Sequence, residues 1–179
     1  MTFRRAVWLL AADLREREAQ AGKRYGWFSY VKIWFNPAAL AVAFFRIQAW
    51  LHAAGWRRLA TGVRNINIVL FSIDIGSRAQ IDAGFIICHP NCVVIGDECV
   101  AGRKLILVHH NTIIMRGPGA AGRVEIADDV TLGCGSRILG PVSVGANSFI
   151  GANAVVRENL PASSFHIETE LTYLGEAIA

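Results

Sequence analysis

The sequence has few charged residues, since Asp, Glu, Lys and Arg together make up 18% of its 179 positions. The formal net charge is only +4, no lysine-rich block occurs, and no nucleic-acid-binding motif is recognisable. We therefore expect no nucleic acid as a partner, and the pI of about 9.1 indicates no more than a preference for anions. Hydrophobic residues reach 53%, which predicts an oligomer that covers apolar surface.

The sequence also lacks a long uncharged apolar run. The longest apolar stretch, residues 38–51, is too short to cross a bilayer and contains Arg46. The opening residues 1–18 pass from a short apolar patch directly into charged residues and do not resemble a signal peptide. These absences favour a cytoplasmic location, where the four cysteines are expected to stay reduced.

What the sequence does contain is a hexapeptide repeat. Apolar residues recur at every sixth position from Ile126 to Val156, and upstream from Ile75 to Ile113 with one slip of two residues. A period of six fits neither the 3.6-residue period of a helix nor the two-residue period of a strand, and a fixed repeat is typical of a solenoid. We predict a mainly β fold, a left-handed parallel β-helix in which three hexapeptides make one coil.

The residues before the repeats have a different pattern. Apolar positions such as Val7, Leu10 and Leu14 recur at helical spacing, and Asn36-Pro37 is a typical helix start. We predict a small N-terminal α-helical region over residues 1–68, with two or three helices. All five tryptophans lie there, and we expect them to pack helices against each other or a neighbouring subunit; peripheral membrane contact is the alternative.

We predict that the β-helix spans residues 69–162 and is followed by a C-terminal extension, residues 163–179. One segment interrupts the repeats: residues 115–125, with the sequence MRGPGAAGRVE, are too rich in glycine and alanine to form a coil. Flexible loops on a rigid scaffold often carry functional residues, whereas a simple linker is the alternative interpretation.

Asp74 and His89 are the candidate catalytic residues. They are fifteen residues apart, each near an aliphatic repeat position, and a coil of three hexapeptides has about eighteen residues. We therefore expect the two side chains to lie at the same edge of the β-helix. A carboxylate bonded to one imidazole nitrogen makes the other a general base that can deprotonate a hydroxyl. A surface histidine in a turn is the alternative.

The segment IDIGSRAQIDAGFIICHPNCVVIGDECVAG resembles the start of the β-helix of serine O-acetyltransferases, which has Asp-Ile-His-Pro, a glycine-rich corner, Asp-His and a Val-Ile-Gly repeat. The resemblance extends over about residues 31–162. Hexapeptide repeats occur in many acyltransferases and in some non-enzymes, and the positions of Asp74 and His89 narrow the match considerably.

The resemblance implies an acetyl-CoA-dependent O-acetyltransferase that needs no metal, with His89 as the base and Asp74 as the residue that orients it. It also implies a homotrimer, with a dimer of trimers as the alternative, and a pantetheine arm bound between neighbouring β-helices. The matching positions for the pantetheine arm and the thioester are Gly133, Cys134, Gly151, Ala152 and Met115.

The sequence departs from the family where the family binds the amino acid. Cys88 replaces the acid before the catalytic histidine, Gly76 replaces a histidine, and the loop has Ile114-Met115 and Gly122-Arg123-Val124 in place of Gly-Gly and Arg-His-Pro. These departures favour a sugar or another non-amino-acid hydroxyl, as in exopolysaccharide biosynthesis, over L-serine. The predicted acceptor contacts are Cys88, His109 and Arg123.

The same fold is compatible with two further classes of function. A zinc site of the γ-carbonic anhydrase type would use His89, His109 and His110, but adjacent residues of a strand point in opposite directions, so no metal site is expected. A non-catalytic β-helix scaffold would explain the altered loop, whereas the presence of both Asp74 and His89 opposes it.

Overall fold

The computed structural model describes residues 1–117 and 121–167 of the chain. Four α-helices precede the first strand: α1 Phe3–Gln20, α2 Trp27–Lys32, α3 Pro37–Ala53 and α4 Arg57–Phe71, with a 3₁₀ turn at Ile33–Phe35 before α3. As predicted, α3 starts at Asn36-Pro37, and the Asn36 side chain accepts a hydrogen bond from the Ala39 amide at 3.0 Å.

Fourteen short strands follow in the described residues. They are β1 Ile73–Ile75, β2 Gln80–Ile81, β3 Ile86–Ile87, β4 Val93–Ile95, β5 Cys99–Ala101, β6 Ile106–Leu107, β7 Thr112–Met115, β8 Val124–Ile126, β9 Thr131–Leu132, β10 Arg137–Gly140, β11 Val142–Val144, β12 Phe149–Ile150, β13 Val155–Val156 and β14 Phe165–His166.

The strands form three parallel sheets, because every third strand pairs with the one before it. The first sheet has the order β1-β4-β7-β10-β13, the second β2-β5-β8-β11 and the third β3-β6-β9-β12-β14. This is the predicted left-handed parallel β-helix. Ile73 pairs with Val93, so the first coil has 20 residues, whereas Leu132 pairs with Ile150 at the expected spacing of 18.

The aliphatic repeat positions form the core. Ile75, Ile87, Ile113, Leu132 and Ile150 are among the fully buried side chains that stack along the axis of the β-helix. Stacked aliphatic side chains account for the hexapeptide period, because each short strand needs one inward-facing residue. The coils extend to β14, four residues beyond the predicted end at 162, and residues 168–179 of the predicted extension lie outside the described residues.

A buried ion pair attaches the helices to the first coil. Arg46 of α3 donates to Asp13 of α1 through Nε at 2.8 Å and Nη2 at 3.0 Å, and both side chains are buried. Arg46 also donates to the carbonyl oxygens of Ile81 and Asp82, while Asp13 accepts from the amide of Phe85. These bonds join two helices to the chain between the second and third sheets.

The tryptophans do not fill the space between the helices of the chain. Trp50 packs edge-on against Phe3 with ring centroids 5.1 Å apart, but the other four are exposed: Trp8, Trp27, Trp34 and Trp56. For those four, the prediction that they pack helices against each other within the chain is therefore wrong, and packing on a neighbouring subunit stays a prediction. No single helix in the described ranges is long and apolar enough to span a membrane. The helical segments Trp27–Phe35 and Pro37–Ala53 have enough length and apolar character only when they are taken together, and the chain bends by 105° between them.

Candidate active site

His89 lies in the corner that joins the third sheet to the first. The corner runs from the end of β3 to the start of β4 and includes Cys92 in the left-handed backbone region, with a φ of 49°. The His89 amide donates to the Val108 carbonyl of the next coil at 3.0 Å, and the His89 carbonyl accepts from the Asn91 amide at 2.9 Å. The main chain is therefore fixed, while the imidazole is exposed at the surface.

His109 and His110 occupy the same corner one coil further on. The rings of His89 and His109 meet edge-on with centroids 6.0 Å apart, and the Nδ1 atoms of His109 and His110 are 2.6 Å apart. The prediction that His109 and His110 point in opposite directions is wrong, because they lie in a turn, where His110 has a φ of 56°, and not in a strand. One of these nitrogens donates and the other accepts.

Asp74 lies at the centre of β1, where its side chain points out between the buried Ile73 and Ile75. Its Oδ1 accepts a hydrogen bond from Nε of Arg64 at 2.5 Å, and this bond raises the pKa of the guanidinium. Among the described residues no hydrogen bond joins Asp74 to His89. The carboxylate that was expected to orient the imidazole is therefore paired with a cation from α4.

The small residues predicted to line the pantetheine groove have two different environments. Gly133 and Gly151 are buried, and a Cβ atom on Gly133 would lie 2.9 Å from the Ala152 amide nitrogen of the next coil. The lack of a side chain at Gly133 is therefore explained by coil stacking. Cys134 is half-buried and Ala152 is exposed. Of the four small residues, these two therefore have side chains at the surface of the corner.

The residues of the excursion loop lie at a different corner from His89. Met115 ends β7 and packs against the core, and the loop continues toward Arg123, whose Nε is 3.4 Å from Oε1 of Glu125. Arg116 donates to the carbonyl oxygens of Gly140 and Arg157, which keeps this part of the loop at the edge between the first and second sheets. The structure therefore separates two predicted site residues, Met115 and Arg123, from His89 by one face of the β-helix.

The comparisons with known proteins agree with this architecture. A family model described as bacterial transferase hexapeptide (six repeats) matches residues 123–158. Serine acetyltransferase of Mycobacterium tuberculosis is 32% identical over 148 residues, which cover 81% of this chain and 64% of that protein. The solved structure of soybean serine acetyltransferase complexed with serine superposes with a TM-score of 0.79 at 29% identity, over 89% of this chain and 65% of that one.

The chain belongs to the serine acetyltransferase-like hexapeptide-repeat family. The family resemblance predicted from Asp74, His89 and the repeats is thereby confirmed. The chain spans less than two thirds of the relatives it matches, and only 45% of the Escherichia coli K12 serine acetyltransferase, to which it is 32% identical over 124 residues.

Arg17 is a residue of this serine acetyltransferase-like chain that sequence reasoning missed. Its Nη2 donates to the Ile87 carbonyl oxygen at 2.5 Å, immediately before Cys88 and His89, and burial lowers the pKa of the guanidinium. Arg17 comes from α1, 70 residues earlier in the chain, so no local motif indicates the contact. Like Arg64, it brings a positive charge from the helical region to the first coil.

A large cleft of the chain lies away from His89. A cleft of about 780 Å³ opens between the helices and the second sheet and is lined by residues that include Leu9, Phe45, Ala79 and Ile81. Neither His89 nor Asp74 lines this cleft, and the His89 side chain is exposed on the surface of the single chain. Within residues 1–117 and 121–167, no group of three or more His, Cys, Asp or Glu side chains is arranged to hold a metal ion.

Proposed function

We propose that this chain transfers the acetyl group of acetyl-CoA to a hydroxyl group, with His89 as the general base. The observation that carries the proposal is an exposed imidazole on a corner held by main-chain hydrogen bonds. The sequence resemblance to serine O-acetyltransferases implies that this imidazole is the catalytic base. The names of the relatives support the reaction class.

His89 would first accept a proton from the acceptor hydroxyl and then donate that proton to the leaving thiolate. The imidazole takes the hydroxyl proton while the hydroxyl oxygen forms a bond to the thioester carbonyl carbon. The carbonyl electron pair moves onto its oxygen, and main-chain N–H groups stabilise the resulting oxyanion. When the carbon–sulfur bond breaks, the imidazolium returns the proton to the leaving thiolate, so the products are an acetyl ester and the free thiol.

Asp74 would orient His89 while Arg64 holds the carboxylate in place. Half-buried Arg64 fixes Asp74 at the start of the first sheet, next to the corner that carries His89. A carboxylate that keeps one oxygen for the guanidinium still has a second oxygen to accept a bond from an imidazole N–H. We therefore assign Asp74 and Arg64 as positioning residues.

L-Serine is the acceptor that the comparisons favour. The relatives are named serine acetyltransferase, and the soybean structure contains serine. The sequence departures favoured a sugar hydroxyl instead, and the comparisons support that acceptor less well. A non-amino-acid hydroxyl stays the second candidate because Cys88 supplies no carboxylate next to His89 for an ammonium group.

We further propose that the site is completed between copies of the chain in a homotrimer. Cys88, His109, Cys134 and Ala152 share the corner of His89, whereas Met115 and Arg123 lie at the next corner. A neighbouring β-helix that presents its loop corner to His89 would bring both sets together, in the groove predicted for the pantetheine arm.

The proposal is tested by thiol release from acetyl-CoA in the presence of L-serine and a panel of sugar hydroxyl acceptors. We expect release that depends on L-serine. Thiol release with sugars but not with L-serine would identify a sugar hydroxyl as the acceptor and would still support acetyl transfer. No release with any acceptor would contradict acetyl transfer and favour a non-catalytic scaffold.

A further inference from the structure

The charge of the chain is divided between its two parts. Residues 1–72 contain 11 Lys or Arg and 3 Asp or Glu, while residues 73–179 contain 7 and 11. The helical region therefore has a formal net charge of +8 and the rest a net charge of −4. No acidic residue occurs between Glu18 and Asp74. Such asymmetry between parts of one chain is typical of proteins that bind an anionic surface.

Within this basic region, α2 and the 3₁₀ turn form a segment, residues 27–35, that we call the aromatic segment. Its inner face is held by Ser29 and Ile33, which are both buried. Its outer face consists of apolar side chains with exposed fractions from 43% to 85%: Trp27, Phe28, Val31, Trp34 and Phe35. The spacing of these residues puts them on one side of a helical turn. The apolar side of the segment therefore faces away from the protein.

Basic residues flank the aromatic segment and no acidic residue lies within it. Lys23 and Arg24 precede it, and Lys32 lies inside it with Nζ 3.6 Å from Glu18. Tryptophan and tyrosine are enriched where a membrane meets water, and lysine and arginine bind anionic lipid headgroups. A short helical segment with exposed aromatic rings and flanking cations has the composition of an interfacial membrane anchor.

We propose that the aromatic segment, with Lys23, Arg24 and Lys32, docks on the surface of an anionic lipid bilayer. The rings enter the headgroup layer and the cations contact lipid phosphates, while the β-helix stays in water. Charge complementarity favours lipid over a second copy, because a symmetric contact between two aromatic segments would bring like charges together. The docking surface is distinct from the His89 corner and does not depend on the proposed acetyl transfer.

The test is cosedimentation of the full chain with vesicles of phosphatidylcholine alone or mixed with phosphatidylglycerol. We expect binding to the mixed vesicles that weakens as salt rises, since surface charges are screened. The double substitution Trp34→Ser and Phe35→Ser should reduce binding by at least about tenfold, because the interfacial aromatic area is lost. Lys23→Gln with Arg24→Gln should also weaken it.

Two matched controls lie outside the docking surface. Trp56→Ser removes a tryptophan that is 62% exposed, against 72% for Trp34. Trp56 lies beyond the far end of α3, about 25 Å from the aromatic segment at 1.5 Å per residue. Arg137→Gln removes an exposed cation from β10. Both controls should bind like the wild type.

Two results would overturn the proposal. One is binding that is absent, or unchanged by Trp34→Ser with Phe35→Ser. The other is a wild type that does not bind vesicles, together with a double variant that light scattering shows to be a smaller assembly than the wild type. That result would assign the aromatic segment to a contact between copies of the chain.

Discussion

The Nε atom of Arg64 lies 2.5 Å from Oδ1 of Asp74 and joins the last helix before the β-helix to the first strand. Both side chains are about one-third exposed. The bond lies between the helical region and the coil that carries the candidate base. We expect loss of the Arg64–Asp74 ion pair to lower the rate of catalysis more than the free energy of unfolding, because partly exposed ion pairs contribute little to folding.

Asp74→Asn should lower the turnover of acetyl transfer by about ten- to a hundredfold, since it misorients the base without removing it. Arg64→Gln should lower it by less, because Arg64 acts through Asp74. The double variant should then be no slower than Asp74→Asn alone, as expected for residues of one network. The control is Arg103→Gln, whose ion pair with Asp128 is exposed elsewhere. A double variant whose losses multiply would contradict this coupling.

Arg46→Met should destabilise the fold by about 3–5 kcal/mol, because it leaves the carboxylate of Asp13 buried without its cation. Both side chains of this pair are 3% exposed. Arg5→Met, which breaks the exposed pair with Asp82, should cost no more than about 1 kcal/mol. Denaturant unfolding measures both variants. Equal losses would show that the Arg46 pair does not anchor the helices.

The cysteines should differ in reactivity in the folded protein. Burial raises the pKa of the Cys99 thiol to about 12, so at neutral and mildly alkaline pH it stays protonated and unreactive. Cys92 is exposed in the His89 corner. Mass spectrometry after iodoacetamide treatment should find Cys92 labelled and Cys99 unlabelled until guanidinium unfolds the chain. Rapid native labelling of Cys99 would contradict the packing of the core.

Two small residues at the His89 corner should respond differently to enlargement. Gly133→Ala should destabilise the protein, because the new Cβ would meet main-chain atoms of the next coil. Ala152→Trp should keep stability, since Ala152 is exposed, and raise the KM for acetyl-CoA by at least about tenfold if the pantetheine arm passes there. An unchanged KM for Ala152→Trp would place the arm elsewhere.

The parts of the fold that sequence predicts well are those set by local repetition. Each inward-facing repeat position, such as Ile75 or Ile87, must be aliphatic wherever its coil lies, so the period alone identifies strands and core. The start of α3 at Asn36 is equally local, because the side chain caps the amide three residues later.

The parts that sequence predicts poorly depend on how helices dock on coils. Arg64 and Arg17 reach the first coil through contacts that follow no period, one with Asp74 and one across 70 residues with Ile87. The rule of strand alternation failed for His109 and His110 because the chain turns there, and a turn does not alternate its side chains.

The rate of thiol release from acetyl-CoA in the presence of L-serine, compared between wild type and His89→Ala, tests the central claim most directly. Loss of the general base should lower the rate by about 10²–10⁴-fold. Light scattering should show the same assembly size, and His52→Ala on α3 should react like the wild type. Equal rates in His89→Ala and wild type would contradict the assignment of His89 as the base.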